Sequence, residues 1–149
     1  MRVILTEWLA TSKARTHKTS KQEISSLLRA ADRDLADARL PGLSTDRKFT
    51  TAYSAALLIS TAALAATGYR APQEGHHYWT IQSLAFTLEQ GPAIIAQFDT
   101  FRRKRNIADY ETAGVVSEAE TRHMLTLATG LRVTVIEWLK KRYPEFVEE

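Results

Sequence analysis

The segment from Tyr53 to Ala66 restricts the folding of this chain more than any other, because Tyr-Ser-Ala-Ala-Leu-Leu-Ile-Ser-Thr-Ala-Ala-Leu-Ala-Ala contains no charged side chain. At about 14 residues it is shorter than the roughly 20 that a membrane span requires, so it is expected to be a buried helix with no membrane role. Its alanines allow neighbouring helices to approach closely. Phe49, Tyr53, Ala56, Leu57, Ser60, Leu64 and Ala65 recur at helical spacing and are expected to trace one face, with Ser44 or Asp46 as N-cap and Gly68 as the stop.

The same three- and four-residue steps occur along the whole chain. Leu5, Trp8 and Leu9 suggest a short first helix from about Ile4 to Arg15, broken by Thr16 to Ser20. Ser20 with Glu23 reads as a capping box for a second helix carrying Ile24, Leu27, Leu28, Ala31 and Leu35, ended by Pro41-Gly42. A fourth helix takes Ile81, Leu84, Ala85 and Leu88 inward and stops at Gln90-Gly91. Pro92 opens a fifth through Ile94, Ile95, Phe98 and Phe101, expected to fray near Ala108 to Glu111. Ser117 and Glu120 form another capping box, launching a last helix through Met124, Leu127, Leu131, Val135, Trp138 and Leu139 until Pro144 intervenes. Strand signals are almost absent. The expected fold is all-α: a single domain over residues 1–149, an antiparallel bundle of four principal helices plus one or two short ones.

Global charge says little about partners, since 20 Lys and Arg against 17 Asp and Glu give only +3. The absence of cysteine excludes disulfides and thiolate chemistry and fits a cytoplasmic setting. Met1-Arg-Val-Ile-Leu-Thr-Glu-Trp lacks the features of a signal peptide and reads as part of the fold, with Trp8 and Trp138 as core or dimer contacts. Gly-rich phosphate loops, a nucleophile elbow and the His-Glu-x-x-His motif are absent, and no cofactor is called for.

Local charge is more informative. Arg102, Arg103, Lys104 and Arg105 are followed at once by the hydrogen-bonding cluster Asn106, Asp109 and Tyr110. Cations at a helix C-terminus offset its dipole, which explains one or two of them but not the cluster that follows. Arg105 and Asp109 stand at ion-pairing distance along a helix, and Asn106 and Tyr110 share the next face. An anionic partner, RNA or a nucleotide, is the expected ligand. His76 and His77 are adjacent on a helix, about 100° apart, so they are poorly placed to chelate one metal and no metal site is expected. They remain accessory candidates that the fold could bring to the basic patch, while His17 and His123 carry weaker signals.

Three pieces together, Tyr53-Ser-Ala-Ala-Leu-Leu, Gly68-Tyr-Arg with Glu74-Gly-His-His, and above all Arg102-Arg-Lys-Arg-Asn-Ile-Ala-Asp-Tyr110, make the chain resemble the HEPN family of helical, nucleotide-binding domains. The resemblance implies a helical bundle, often homodimeric, in which an Arg, a following polar residue and a nearby His form a ribonuclease site. Many members are toxins or defence proteins beside a nucleotidyltransferase-like antitoxin. Here Arg105-Asn106 matches the Arg and polar pair, but Asp109, Tyr110 and Glu111 occupy the positions where the His would fall. Tyr and Asp ordinarily titrate near 10 and 3.9, far from the range suited to proton transfer at neutral pH. The residues thus point to RNA or nucleotide binding through Arg102, Arg103, Arg105, Asn106 and Tyr110. Arg105, Asn106, Asp109 and Tyr110 are the catalytic candidates, and whether the chain is an enzyme stays open. The alternative is a non-enzymatic dimeric interaction module whose polar cluster is structural.

Overall fold

The computed structural model describes residues 2–110 and 115–147, with side chains at 3–107 and 115–147. It is an all-α bundle. The elements are α1 (Arg2–Ala10), β1 (Arg15–Thr16), α2 (Lys21–Asp37), α3 (Thr45–Ala66), β2 (Tyr69–Arg70), α4 (His76–Gln82), α5 (Pro92–Tyr110) and α6 (Glu118–Arg142). Short 3-10 turns follow α4 at Ser83–Ala85 and α6 at Pro144–Phe146.

The centre of the bundle is α3, packed chiefly against α2 and α6, with α5 and α4 closing its remaining sides. It is buried almost all round rather than along one face: Ala52, Ala55, Ile59, Ala62 and Ala63 are as inaccessible as Phe49, Tyr53 and Ala56, whereas Leu57 is only half-buried. Methyl side chains on every face let other helices surround it, as expected of a helix that is apolar throughout. At 22 residues with a mean hydropathy of 1.5, it is long and apolar enough to cross a membrane, yet 72% of that window is buried inside the protein. Length here reflects a core helix wrapped by its neighbours.

Helix starts follow local chemistry closely. The hydroxyls of Ser20, Ser44 and Ser117 accept from the amides of Glu23, Arg47 and Glu120. At Ser117 the Glu120 carboxylate also accepts from the Ser117 amide, completing the capping box. At Ser20 the reciprocal arm is diverted, because Glu23 accepts from Thr19 and pairs with His17 at 2.8 Å.

Several ends differ from expectation. Helix α1 stops at Ala10, not Arg15, because Ser12 adopts a left-handed φ of 61° and Thr11 bonds back to the Glu7 carbonyl. The released chain pairs antiparallel with β2, Arg15 opposite Arg70 and Thr16 opposite Tyr69. Leu9, expected inside, is exposed, while Leu5 is buried. Helix α2 ends at Asp37, before Pro41. Helix α4 ends at Gln82, well before Gln90: Ser83 and Thr87 donate to the carbonyls of Thr80 and Ser83, competing with the helix ladder. Ile81, Leu84 and Leu88 are nevertheless buried, and Ala85 is exposed. On α5, Ile95, Phe98 and Phe101 face the core but Ile94 does not. Gly68, at φ 94°, turns the chain from α3 into β2, a conformation that costs little only without a Cβ.

Candidate nucleic-acid interface

The four cations at 102–105 diverge, as consecutive helical positions must. Arg102 and Arg103 share Asp99, at 2.7 and 3.9 Å, and the Arg102 guanidinium also lies 5.5 Å from the Tyr78 ring centre. Arg103 is the most exposed of the pair, with 64% of its side chain accessible. Lys104 turns away to the Val115 carbonyl at 3.1 Å and to Glu120 at 3.3 Å, tying α5 to the start of α6. The Ser117 amide is the main cause of a Glu120 pKa below the ordinary carboxylate value, and Lys104 adds to it.

Arg105 points back toward α3 and α4. Its guanidinium lies 5.8 Å from the Tyr53 ring centre and donates to Asn106 Oδ1 at 3.4 Å. Across from it, the N-terminal turn of α4 presents His76 and His77. That turn starts at Gly75, whose φ of 69° a side chain would oppose, and where a Cβ would press on Trp79 Cδ1 at 3.3 Å. A cleft of about 580 Å³ results, lined by Gln73, Gly75, His76, His77, Tyr78, Arg102, Arg105 and Asn106. A second depression of about 420 Å³ lies beyond Arg105 and His77, where Asp34, Thr50, Thr51, Tyr53 and Ser54 contribute polar groups, with Ser54 donating to Asp34 at 2.8 Å.

Between the two lies a hydrogen bond that joins core to cleft: Tyr53 Oη and His77 Nδ1 are 3.1 Å apart. Tyr53 is only 1% exposed and packs edge-on against Phe98. Burial pushes its hydroxyl well above the ordinary phenol value, although Arg105 and Arg102 oppose this. Burial also lowers the His77 pKa, to about 4, with the charges of Arg105, His76 and Arg102 acting in the same direction. Both rings are therefore neutral at neutral pH. When Tyr53 donates to Nδ1, Nε2 carries a proton and offers the cleft a donor; when Nδ1 donates to Tyr53, Nε2 offers a lone pair.

Of the residues expected from sequence, the fold brings Arg102, Arg105, Asn106, His76 and His77 to one cleft. Arg103 lies outside it, lining a separate depression with Asp99, Tyr78 and Pro92. Asp109 and Tyr110 belong to α5, but their side chains, and with them the anticipated Arg105–Asp109 pair, lie outside the described residues, as does Glu111. In sequence Tyr53 reads only as a core residue, and Tyr78, Asp34 and Ser54 carry no site signal. A buried Tyr where Phe would fill the same space was the available signal, since a buried phenol needs a hydrogen-bond partner. Among the described residues no three His, Asp or Glu side chains are grouped to hold a metal ion. His123 is exposed on α6, and His17 is held by Glu23. No protein-family model matches the chain, and no curated protein matches it.

Proposed function

We propose that this chain is a HEPN-like bundle that binds RNA or nucleotides in the cleft between α4 and α5. The observation that supports this reading best is the meeting of Arg105, Asn106 and His77, which are distant in sequence, at one open cleft. Arg105 offers a planar donor fork suited to phosphate oxygens, Asn106 can orient a phosphate or sugar hydroxyl, and the exposed Tyr78 ring can stack on a base.

The same meeting favours a metal-independent ribonuclease over simple binding. The histidine missing after Arg105-Asn106 has a spatial substitute in His77. In such a reaction the ribose 2′-hydroxyl adds to phosphorus, the bond to the 5′-oxygen breaks, and the 2′ proton passes to a base while another proton reaches the leaving oxygen. Arg105 would offset the charge that grows on the phosphate oxygens. A His77 pKa of about 4, set mainly by burial, makes a weak base; a phosphate held by Arg105 offsets the smaller, charge-borne part of that depression and raises the pKa in part. The partners in this reading are a second copy of the chain and, for a toxin of a toxin-antitoxin or defence system, a nucleotidyltransferase-like antitoxin.

Fluorescence anisotropy with labelled single-stranded RNA provides the test. Affinity should weaken with salt, and Arg105→Ala should reduce both the affinity and its salt slope, by about 0.7 for a lost single-strand phosphate contact. Cleavage measured in chelator should disappear in His77→Ala. No salt-dependent binding by the wild type would defeat the proposal. Arg105→Ala lowering the melting temperature or dimerisation while RNA binding stays intact would instead support the interaction-module reading.

A further inference from the structure

The cleft does not end at Tyr78. From Arg102 a line of cations and rings continues over α4: the guanidinium lies 5.5 Å from the Tyr78 ring, Tyr78 and Trp79 are 4.9 Å apart edge to face, and Lys13 Nζ lies 5.4 Å from the Trp79 ring. Lys13 opens the segment Lys-Ala-Arg-Thr-His-Lys-Thr-Ser-Lys21, in which four cations occur with no acidic residue. Arg15, Lys18 and Lys21 are exposed.

This segment forms the small ribbon, and the ribbon adds to the charge. Arg15 lies directly opposite Arg70 on the antiparallel ladder, a like-charge pairing that disfavours the ladder unless an anion sits against it. Arg15 Nε donates to the Ala71 carbonyl, while Arg70 Nε is buried with no hydrogen-bond partner. Of the acidic side chains nearby, Glu74 is exposed, and Glu23, bonded to Thr19 and His17, also feels the charge of Arg70, so it offsets part of the repulsion and leaves Arg15 as the exposed charge of the pair. Gln73, at the cleft rim, follows Arg70 by three residues, so the ribbon begins within about 11 Å of the cleft.

Cations alternating with rings, Tyr78 exposed and Trp79 half-buried beside it, suit a single strand: charge follows its phosphates, and an open ring face accepts a base without sequence preference. We infer that the Arg102–Tyr78–Trp79–Lys13 line and the Arg15/Arg70 ribbon form a track for single-stranded RNA, extending the cleft so that it takes a strand of several nucleotides rather than a mononucleotide. The inference rests on the proposed RNA-binding role of the cleft and adds the form of the ligand.

Labelled single-stranded RNAs of 3 and 12 nucleotides, together with a 12-base-pair RNA duplex, test it on the whole chain by anisotropy across a salt series. The wild type should bind the 12-mer more tightly than the 3-mer and the duplex. The double variant Lys13→Ala/Arg15→Ala should weaken 12-mer binding about tenfold, leave the 3-mer unchanged, and reduce the 12-mer salt slope by about 1.4, as expected for two lost phosphate contacts. Tyr78→Ala should weaken 12-mer binding at least about fivefold, in line with the loss of one stacked base. A thermal melt confirms that each variant is folded, and Lys13→Ala/Arg15→Ala, which loses the Arg15 bond to Ala71 but leaves α4 intact, keeps the test open should Tyr78→Ala disturb α4. If Arg105→Ala abolishes 12-mer binding but Lys13→Ala/Arg15→Ala leaves affinity and slope unchanged, the track is refuted and the cleft reading stands. Equal binding of the duplex also refutes the track. No binding of any RNA by the wild type overturns both.

Discussion

His77 connects the core of this protein to its candidate interface, and its protonation should be measurable in both roles. In the fold its pKa is about 4, below the ordinary 6.5, with burial the leading cause. The unfolded chain therefore takes up a proton as pH falls through about 6.5, whereas the folded chain resists until about 4. Stability attributable to the neutral ring is full above 6.5 and is lost between 6.5 and 4. Glu23 and Glu120, whose pKa values are also lowered, lose stability on acidification too, so the His77 share must be isolated by difference. Urea unfolding of the wild type and His77→Gln at pH 7.5 and 4.5 should show a smaller fall for the variant; equal falls would mean His77 is not held neutral. A histidine titration followed by NMR should place the His77 midpoint near 4 and move it upward when phosphate is added, because the anion offsets Arg105. Tyr53→Phe removes the bond to Nδ1 and should cost about 0.5 to 1.5 kcal/mol of stability, consistent with one intramolecular hydrogen bond.

At the scale of elements, α5 and α6 divide the cationic run into two jobs. Lys104 works at the junction, where Val115, Ser117 and Glu120 meet, and Arg105 works one position on, at the cleft. Ser117→Ala removes the cap of α6 and should cost about 1 kcal/mol in urea unfolding while leaving RNA affinity within error of the wild type. A matching loss of affinity would mean that the junction and the cleft are one unit. Such junctions also explain how far sequence reading reached. The starts at Ser20, Ser44 and Ser117 were legible because a cap is a contact between residues three apart. The ends of α1 and α4 were not, since the left-handed turn at Ser12 and the hydroxyl bonds of Ser83 and Thr87 override apolar periodicity. Arg105 and Asn106 were legible as neighbours in sequence. Their meeting with His77 was not, because it depends on where α3 and Gly75 place the first turn of α4. The charge of the Lys13 to Lys21 segment was visible in sequence, but its significance depends on the pairing that sets Arg15 against Arg70.

At the scale of the whole molecule, apolar packing falls into two clusters of unequal weight. The large one runs through α2, α3, α5 and α6 and takes in Ile81 of α4. The small one gathers Leu5, Leu64 and Ala71, with Tyr69, Trp79 and Phe86 against them, beneath α1 and the ribbon. Trp8 closes it, edge-on to Trp79 at 5.2 Å and to Phe86 at 4.8 Å. A cluster this small, attached to the rest mainly through Leu64 and α4, should open by itself at lower free energy than the bundle unfolds. Trp8→Ala removes two ring contacts, each worth about 0.5 to 1.5 kcal/mol beyond area burial. In hydrogen exchange followed by mass spectrometry, the variant should lose protection in α1 and the β1–β2 ribbon, while α2, α3 and α6 keep theirs. Because Trp79 also lies between Tyr78 and Lys13, the same variant should weaken binding of a 12-nucleotide RNA more than that of a 3-nucleotide RNA. Uniform loss of protection across all helices would show instead that the two clusters fold as one, and that the ribbon is as firmly held as the core.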